Sequence, residues 1–422
     1  MLRSGNSDRA AEVIARCQLL ASFSEDRDSI RRTFLCRAMQ DCHRQIAGWL
    51  TAAGAEVNVD AVGNLHGFYA GVEANAPRLL IGSHLDTVPN AGAYDGVLGV
   101  VIAVSLVEAL GGHRLPFAIE VVAFSEEEGV RFGTPFLGSR ALVGRFDEKL
   151  LSQRDRNGVS VREAIKAFGL DPGKIPGARM KEDALAYLEF HIEQGPVLES
   201  LKGKRPLGVV EGIAAQRRME LEFVGRANHA GTTPMHLRHD AVAAAAEWIV
   251  AVENAGRNRP GVVATVGQIQ AMPGAVNVIA GSARVSLDVR HGSDAVCEQV
   301  MNMLREQATQ IATHRGLRVT AKELLDQKSV KMNAFLVDQI ERAIRGVGCE
   351  PLRMVSGAGH DAMILAERIP AAMIFVPSPE GISHDPAEAV RTEDVANALE
   401  CGLRLLDQLA ASQEFQKRMC RA

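Results

Sequence analysis

Three segments between residues 78 and 124 constrain the fold of this chain more than any other feature. Arg78-Leu-Leu-Ile-Gly82 is short and β-rich, Val97 to Leu110 reads as a helix, and Phe117-Ala-Ile-Glu-Val-Val-Ala-Phe124 is again a strand. Strand, helix and strand in that order imply a crossover, so the two strands lie parallel in an α/β sheet. A further strand, Ala371-Ala-Met-Ile-Phe-Val376, is assigned to the same sheet. Residues 8–55 carry apolar positions such as Ala11, Ile14, Ala15 and Leu19 at helical spacing and read as amphipathic helices.

The pattern changes between residues 214 and 329. Arg218 to Val224 alternates strictly, Ala241 to Val252 reads as a helix, and alternating strands are expected at 262–269 and 282–290. This predicts an α+β domain over 214–329 inserted into an α/β domain made of 1–213 and 330–422. A length of 422 residues suits two or three domains of ordinary size.

Composition removes several functions. Lys and Arg total 47 against 51 Asp and Glu, a net charge of -4, with only 14 Phe, 3 Tyr and 2 Trp. A nucleic-acid binder would show a basic excess, and a base-stacking surface more aromatics. The seven cysteines (17, 36, 42, 297, 349, 401, 420) make no C-x-x-C pair and read as reduced thiols. The N-terminal stretch Met1–Arg16 lacks the apolar core of a secretory signal, and the longest apolar run, Val97–Val107, is too short to span a bilayer. A soluble, cytoplasmic protein without membrane or nucleic-acid partners is expected.

Four clusters just past strand ends carry metal chemistry, where α/β folds place their sites. They are Gly82-Ser-His84-Leu-Asp86-Thr87 with Tyr94-Asp95-Gly96, Ser125-Glu126-Glu127-Glu128-Gly129, Glu189-Phe-His191-Ile-Glu-Gln-Gly195, and Gly381-Ile-Ser-His384-Asp-Pro386. Asp86 is placed to orient His84 through its other ring nitrogen. The set offers nitrogen and oxygen without sulfur, which suits Zn²⁺, Mn²⁺, Co²⁺ or Ni²⁺. Three imidazoles and two carboxylates, one of them shared, would hold two ions about 3.5–4 Å apart, and a free carboxylate beside them would take a proton from water.

With N-H-A-G-T-T-P-M, S-G-A-G-H-D-A and G-I-S-H-D-P-A-E, these motifs stand in the order found in the hydantoinase/carbamoylase branch of the M20 metallopeptidase family, which the chain resembles over about 80–390. The resemblance implies a dinuclear-metal α/β catalytic domain with an inserted lid that forms a homodimer. It implies His84, Asp95 and His191 as ligands of one divalent ion and Asp95, Glu128 and His384 as ligands of the other. Glu127 corresponds to the general base, with a slip to Glu126 left open. His229 resembles a lid histidine that stabilises the oxyanion from across the dimer.

The same resemblance makes the insert the holder of substrate. Asn277 and Arg290 are expected to grip a carboxylate, with Gly359 and His360 contributing from Gly357-Ala-Gly-His360. Ala214-Ala-Gln216-Arg-Arg-Met219 is similar to the corresponding segment of allantoate amidohydrolases, and Gln216 would face a second ureido group. The expected activity is hydrolysis of a ureido C–N bond in a small carboxylate, allantoate foremost. An N-carbamoyl-L-amino acid, β-ureidopropionate or, on the same scaffold, a dipeptide or acylated amino acid are the alternatives. Gly357-Ala-Gly-His-Asp-Ala362 also formally fits the dinucleotide fingerprint G-x-G-x-x-G/A, which needs a strand before it and an acidic residue about 20 positions on.

Overall fold

The computed structural model describes residues 2–201 and 206–419. These fall into two compact units, one made of the residues up to Glu211, Lys331–Met354 and those from Gly359 onward, the other of Gly212–Val330 with Val355–Ala358. Residues 355–358, placed with the catalytic unit by sequence, pack with the insert instead.

The first unit is built on a mixed sheet. Its strands run in the order Glu56–Val59, Leu65–Tyr69, Ala118–Phe124, Arg78–His84, Ala184–Ile192, Ala371–Val376, Pro206–Ile213 and Val330–Lys331. The four central strands, from Ala118–Phe124 to Ala371–Val376, are mutually parallel. Every residue of those four is buried, as expected of strands covered on both faces. Val97–Ala109 is the crossover helix between the first two of them in sequence, apolar all round and buried over Val97–Val107. The parallel pair read from sequence is therefore present, and Arg78–His84 runs two residues beyond its expected end, carrying His84 on its last position.

Helix content near the N-terminus is interrupted. Leu2–Ala21 and Arg37–Ala52 are helices, but 22–36 is irregular. The reason is Arg32, fully buried, whose guanidinium donates to the carbonyls of Leu85 (2.6 Å), Leu20 (3.0 Å) and Phe23 (2.9 Å). A helix continued past Ala21 would have used the Leu20 and Phe23 carbonyls internally.

The second unit has an antiparallel sheet in the order Ile269–Met272, Ser282–His291, Ala215–Val224 and Arg318–Gln327, with Val263–Thr265 also on Ser282–His291. Helices Ala241–Arg257 and Asp294–His314 contribute Trp248, Val252, Val300 and Leu304 to a core shared with Phe223, Leu221 and Val285 of the sheet. The strand expected at 262–269 is broken. Gln268 gives its N–H to the Ser286 hydroxyl at 3.0 Å instead of to the ladder, so the chain re-enters the sheet only at Ile269.

Six of the cysteines are buried thiols, and Cys420 lies outside the described residues. Among the described residues no helix is long and apolar enough to cross a membrane.

One buried charge network involves none of the cluster residues. His66 Nδ1 meets Glu120 Oε1 at 2.8 Å and Nε2 meets Asp60 Oδ2 at 3.4 Å, while Arg78 pairs with Glu120 and Asp183. Burial alone would lower the His66 imidazole, but the two carboxylates outweigh it and carry it up to about 9. Because the folded value is raised, this contribution is complete below the unfolded value near 6.5 and fades as pH climbs through about 9. The expected contribution at neutral pH is on the order of 2–3 kcal/mol. Denaturation midpoints of wild type and His66→Gln should differ near neutrality and converge in alkali; a gap that does not change with pH would refute the pairing.

Candidate metal centre

The C-terminal ends of the parallel strands bring together residues far apart in sequence. His84 ends its strand, His191 is the penultimate residue of Ala184–Ile192, and Glu127 and Glu128 come after Ser125 and Glu126 past the end of Ala118–Phe124. Asp95 sits in the turn that opens the crossover helix. Gly96 there adopts φ +69, and a Cβ on it would lie 2.4 Å from the His84 ring, so the turn reaches the imidazole only with glycine. His384 and Gln194 hold left-handed backbones, φ 57 and φ 59, a strain that chains concentrate at functional sites.

Each buried imidazole is aimed by its own backbone. His84 Nδ1 lies 3.0 Å from the Asp86 carbonyl and His191 Nδ1 lies 2.9 Å from the Ile192 carbonyl. A carbonyl only accepts, so each Nδ1 carries the proton and each Nε2 turns inward. The two Nε2 atoms are 3.4 Å apart and lie 3.7 Å and 3.3 Å from Asp95 Oδ1, a buried oxygen without a hydrogen-bond donor. Ligands about 2.0–2.2 Å from a tetrahedral ion are spaced about 3.3–3.6 Å from one another, so these three atoms have the spacing of ligands around one cation.

The other Asp95 oxygen, Oδ2, faces a second group. It lies 3.0 Å from His384 Nε2 and accepts Gln194 Nε2 at 3.0 Å, and Glu128 Oε1 is 3.6 Å from the same His384 nitrogen. The pocket is short of positive charge. Burial opposes charging His84, yet Asp86, Glu127 and Asp95 outweigh it and raise its proton affinity; hydrogen bonding to Asp95 raises that of His384. Burial raises Glu127 and Glu128, and pushes His191 down to about 4, which keeps its imidazole neutral at pH 7. Nitrogen and oxygen donors, an orphaned carboxylate oxygen and a deficit of cation together fit two divalent ions.

Asp86 differs from expectation. Its carbonyl, not its carboxylate, meets His84 Nδ1 closely; the carboxylate is 3.6 Å away. That carboxylate accepts the backbone N–H groups of Glu127 (2.8 Å) and Glu128 (3.0 Å), and so aims the two glutamates. Glu127 and Glu128 share ligand distance with His84, whereas Glu126 joins no such group. Glu189, His191 and His360 form another compact set, but Glu189 already accepts Ser83 Oγ and Ala362 N–H at 3.0 Å each. A carboxylate on the amide of Ala362 occupies the place where a dinucleotide phosphate would sit, and the helix there, Asp361–Leu365, has only five residues. That removes the dinucleotide reading.

His360 is buried, its ring centroid 4.5 Å from that of His191 and 5.6 Å from that of Phe375. It backs the His191 ring instead of presenting an imidazole to solvent. Beside it, Gly359 packs on the Phe136 ring.

The expected substrate residues of the insert form two groups. Gln216 and Arg290 face each other across neighbouring strands, and both bind Asp288: Gln216 Nε2 at 2.8 Å, Arg290 Nε at 2.9 Å and Nη2 at 3.1 Å, with Arg218 Nε at 2.7 Å. Arg290 Nη1 donates to the Gly357 carbonyl at 2.7 Å. His229, on the small ribbon of Asn228–His229 and Val278–Ile279, and Asn277, the residue just before that ribbon's second strand, lie together, both exposed, with the Ala230 N–H on the Asn277 carbonyl at 2.9 Å. His229 Nδ1 accepts the Gly231 N–H at 3.0 Å, which leaves its proton on Nε2. Sequence reasoning did not single out Asp288, Gln194 or Glu388. Gln194 and Glu388 lay in plain view inside the H-I-E-Q-G and G-I-S-H-D-P-A-E motifs.

Residues 80–408 match the sequence pattern of Peptidase family M20/M25/M40. The chain belongs to this family. Members of M20 are metal-dependent hydrolases, in keeping with the donor set just described, and this protein is a hydrolase. It is 40% identical to an N-carbamoyl-L-amino acid amidohydrolase of Geobacillus stearothermophilus, over 87% of this chain and 90% of that one. It is 37% identical to allantoate deiminase of Arabidopsis thaliana, over 94% and 81%. Among solved M20-like structures, a hydantoinase/carbamoylase family amidase from Burkholderia ambifaria superposes with a TM-score of 0.88 at 34% identity, covering 96% of this chain and 98% of its own.

Proposed function

We propose that this protein is an amidohydrolase that cleaves the ureido C–N bond of a small carboxylate to give a carbamate, which decays to ammonia and carbon dioxide, with allantoate as the favoured substrate. In this reading His84, Asp95 and His191 hold one divalent ion and Asp95, Glu128 and His384 the other. Two such ions supply Lewis-acid polarisation of a ureido carbonyl and a more acidic water. Glu127, braced through its backbone by Asp86, takes the proton of the attacking water and returns it to the leaving nitrogen. His229, with its proton on Nε2, donates to the oxyanion from the partner subunit of a homodimer.

The observation that carries the choice of substrate is the Asp288 hub. Asp288 holds the amide nitrogen of Gln216, which turns the amide oxygen outward as an acceptor for a ureido N–H. Next to it Arg290, with Nε and Nη2 on Asp288 and Nη1 on the Gly357 carbonyl, has one further N–H on each Nη for a carboxylate. Allantoate carries a carboxylate and a second ureido group, and so uses both. The N-carbamoyl-L-amino acid reading is favoured by the 40% identical relative, and it uses Arg290 without needing Gln216.

Rates on allantoate, on N-carbamoyl amino acids and on dipeptides decide between these readings. Gln216→Leu should lower kcat/KM for allantoate about 10–100-fold, the cost of an unmade buried hydrogen bond, and affect N-carbamoyl amino acids much less. Equal losses on both would remove Gln216 from substrate recognition, and faster turnover of dipeptides would overturn the function.

A further inference from the structure

We propose that Glu388 is the positioning residue that ties the Asp95 turn to the His384 loop and thereby sets how firmly the second metal ion is retained; the inference rests on the two-ion reading above. Glu388 is buried, 5% exposed, although it is an acidic residue on a loop. Its Oε1 accepts the backbone N–H groups of both Tyr94, at 2.8 Å, and Asp95, at 3.1 Å. Its Oε2 accepts the hydroxyl of Ser383, the residue just before His384, at 3.0 Å. One carboxylate therefore joins segments almost 300 residues apart, each carrying a ligand of the same ion.

The connection acts where the site is weakest. His84, His191 and Asp95 are anchored in or beside buried strands and the crossover helix, but the His384 side chain is 48% exposed and its backbone is left-handed. The Glu388 loop is itself set by the Asp385 side chain, which accepts the Ala387 N–H at 2.9 Å, and by the Asp385 carbonyl, which accepts the Glu388 N–H at 3.0 Å. A second observation points the same way. Gly92, in the Asp95 turn, lies so close that a Cβ there would stand 2.3 Å from the Glu388 Cβ. The turn and the Glu388 side chain are thus fitted to each other without room for a methyl group.

The test loads the protein with Co²⁺, dialyses it against a mild chelator, and reads metal per chain and the visible Co²⁺ spectrum. Wild type should keep two ions. Glu388→Ala should keep one, with at least tenfold weaker retention of the other and loss of its share of the spectrum, at unchanged far-ultraviolet circular dichroism. Glu388→Gln retains an oxygen for the Tyr94 and Asp95 N–H groups and should recover most of the second ion. Gly92→Ala keeps the carboxylate but displaces it, and should resemble Glu388→Ala. Retention of both ions by Glu388→Ala, equal loss of both, no recovery in Glu388→Gln, or a wild type that holds only one ion would each overturn the inference. A wild type that holds two ions but leaves ureido substrates intact would contradict the proposed function alone.

Discussion

Glu127→Gln should lower turnover of a ureido substrate about 10²–10⁴-fold, the range of a lost general base, while metal content and the circular dichroism spectrum stay as in wild type. Glutamine fills the same space and still receives the Asp86 brace, because that bond is made by the backbone N–H of residue 127. What it cannot do is accept a proton. Glu127 stands outside both Asp95-centred groups, so its replacement leaves their donors in place. Activity within a few-fold of wild type would move the base elsewhere. The neighbouring Glu126→Gln variant provides the control, since Glu126 is fully buried and shares no group with the imidazoles.

Asp95→Ala should be more damaging, and in a different way. Asp95 alone faces both groups, Oδ1 toward His84 and His191 and Oδ2 toward His384. Removing it deprives both sites of their shared anion, so metal per chain should fall toward zero. Loss of Lewis-acid assistance worth several kcal/mol corresponds to a rate lower by about 10³-fold or more. The fold should survive, because the alanine backbone still gives its N–H to Glu388 and the turn still opens at Gly96. Retention of two ions by Asp95→Ala would show that the carboxylate does not bridge.

The parallel core and the ligand clusters were legible because both follow from local rules. Apolar runs of strand length end where a parallel sheet presents its site, so His84, Glu127 and Glu128 could be located from their position after Arg78–Gly82 and Phe117–Phe124, whereas His191 was found only through its motif and its strand, Ala184–Ile192, was not read from the sequence. The supports of those residues were not legible. Arg32 reaches the carbonyl next to His84, Asp86 braces the Glu127–Glu128 backbone, and Glu388 binds the amide of Asp95. Such pairings depend on how distant segments meet, which no spacing along the chain reports. The broken strand before Ile269 has the same origin, since alternation of residue types does not reveal that the Ser286 hydroxyl takes the Gln268 amide. Asp288 was missed for a related reason: a lone aspartate between apolar strand residues gives no sign that three side chains converge on it.

The number of ions that ureido hydrolysis requires is the most direct measurement. Metal-stripped protein should be titrated with Mn²⁺ or Zn²⁺ while ammonia release from allantoate is followed. The two groups that share Asp95 predict no activity in the stripped state and a plateau at two equivalents per chain. Ammonia release that is unaffected by stripping, or that reaches its full rate at one equivalent, would contradict the two-ion reading.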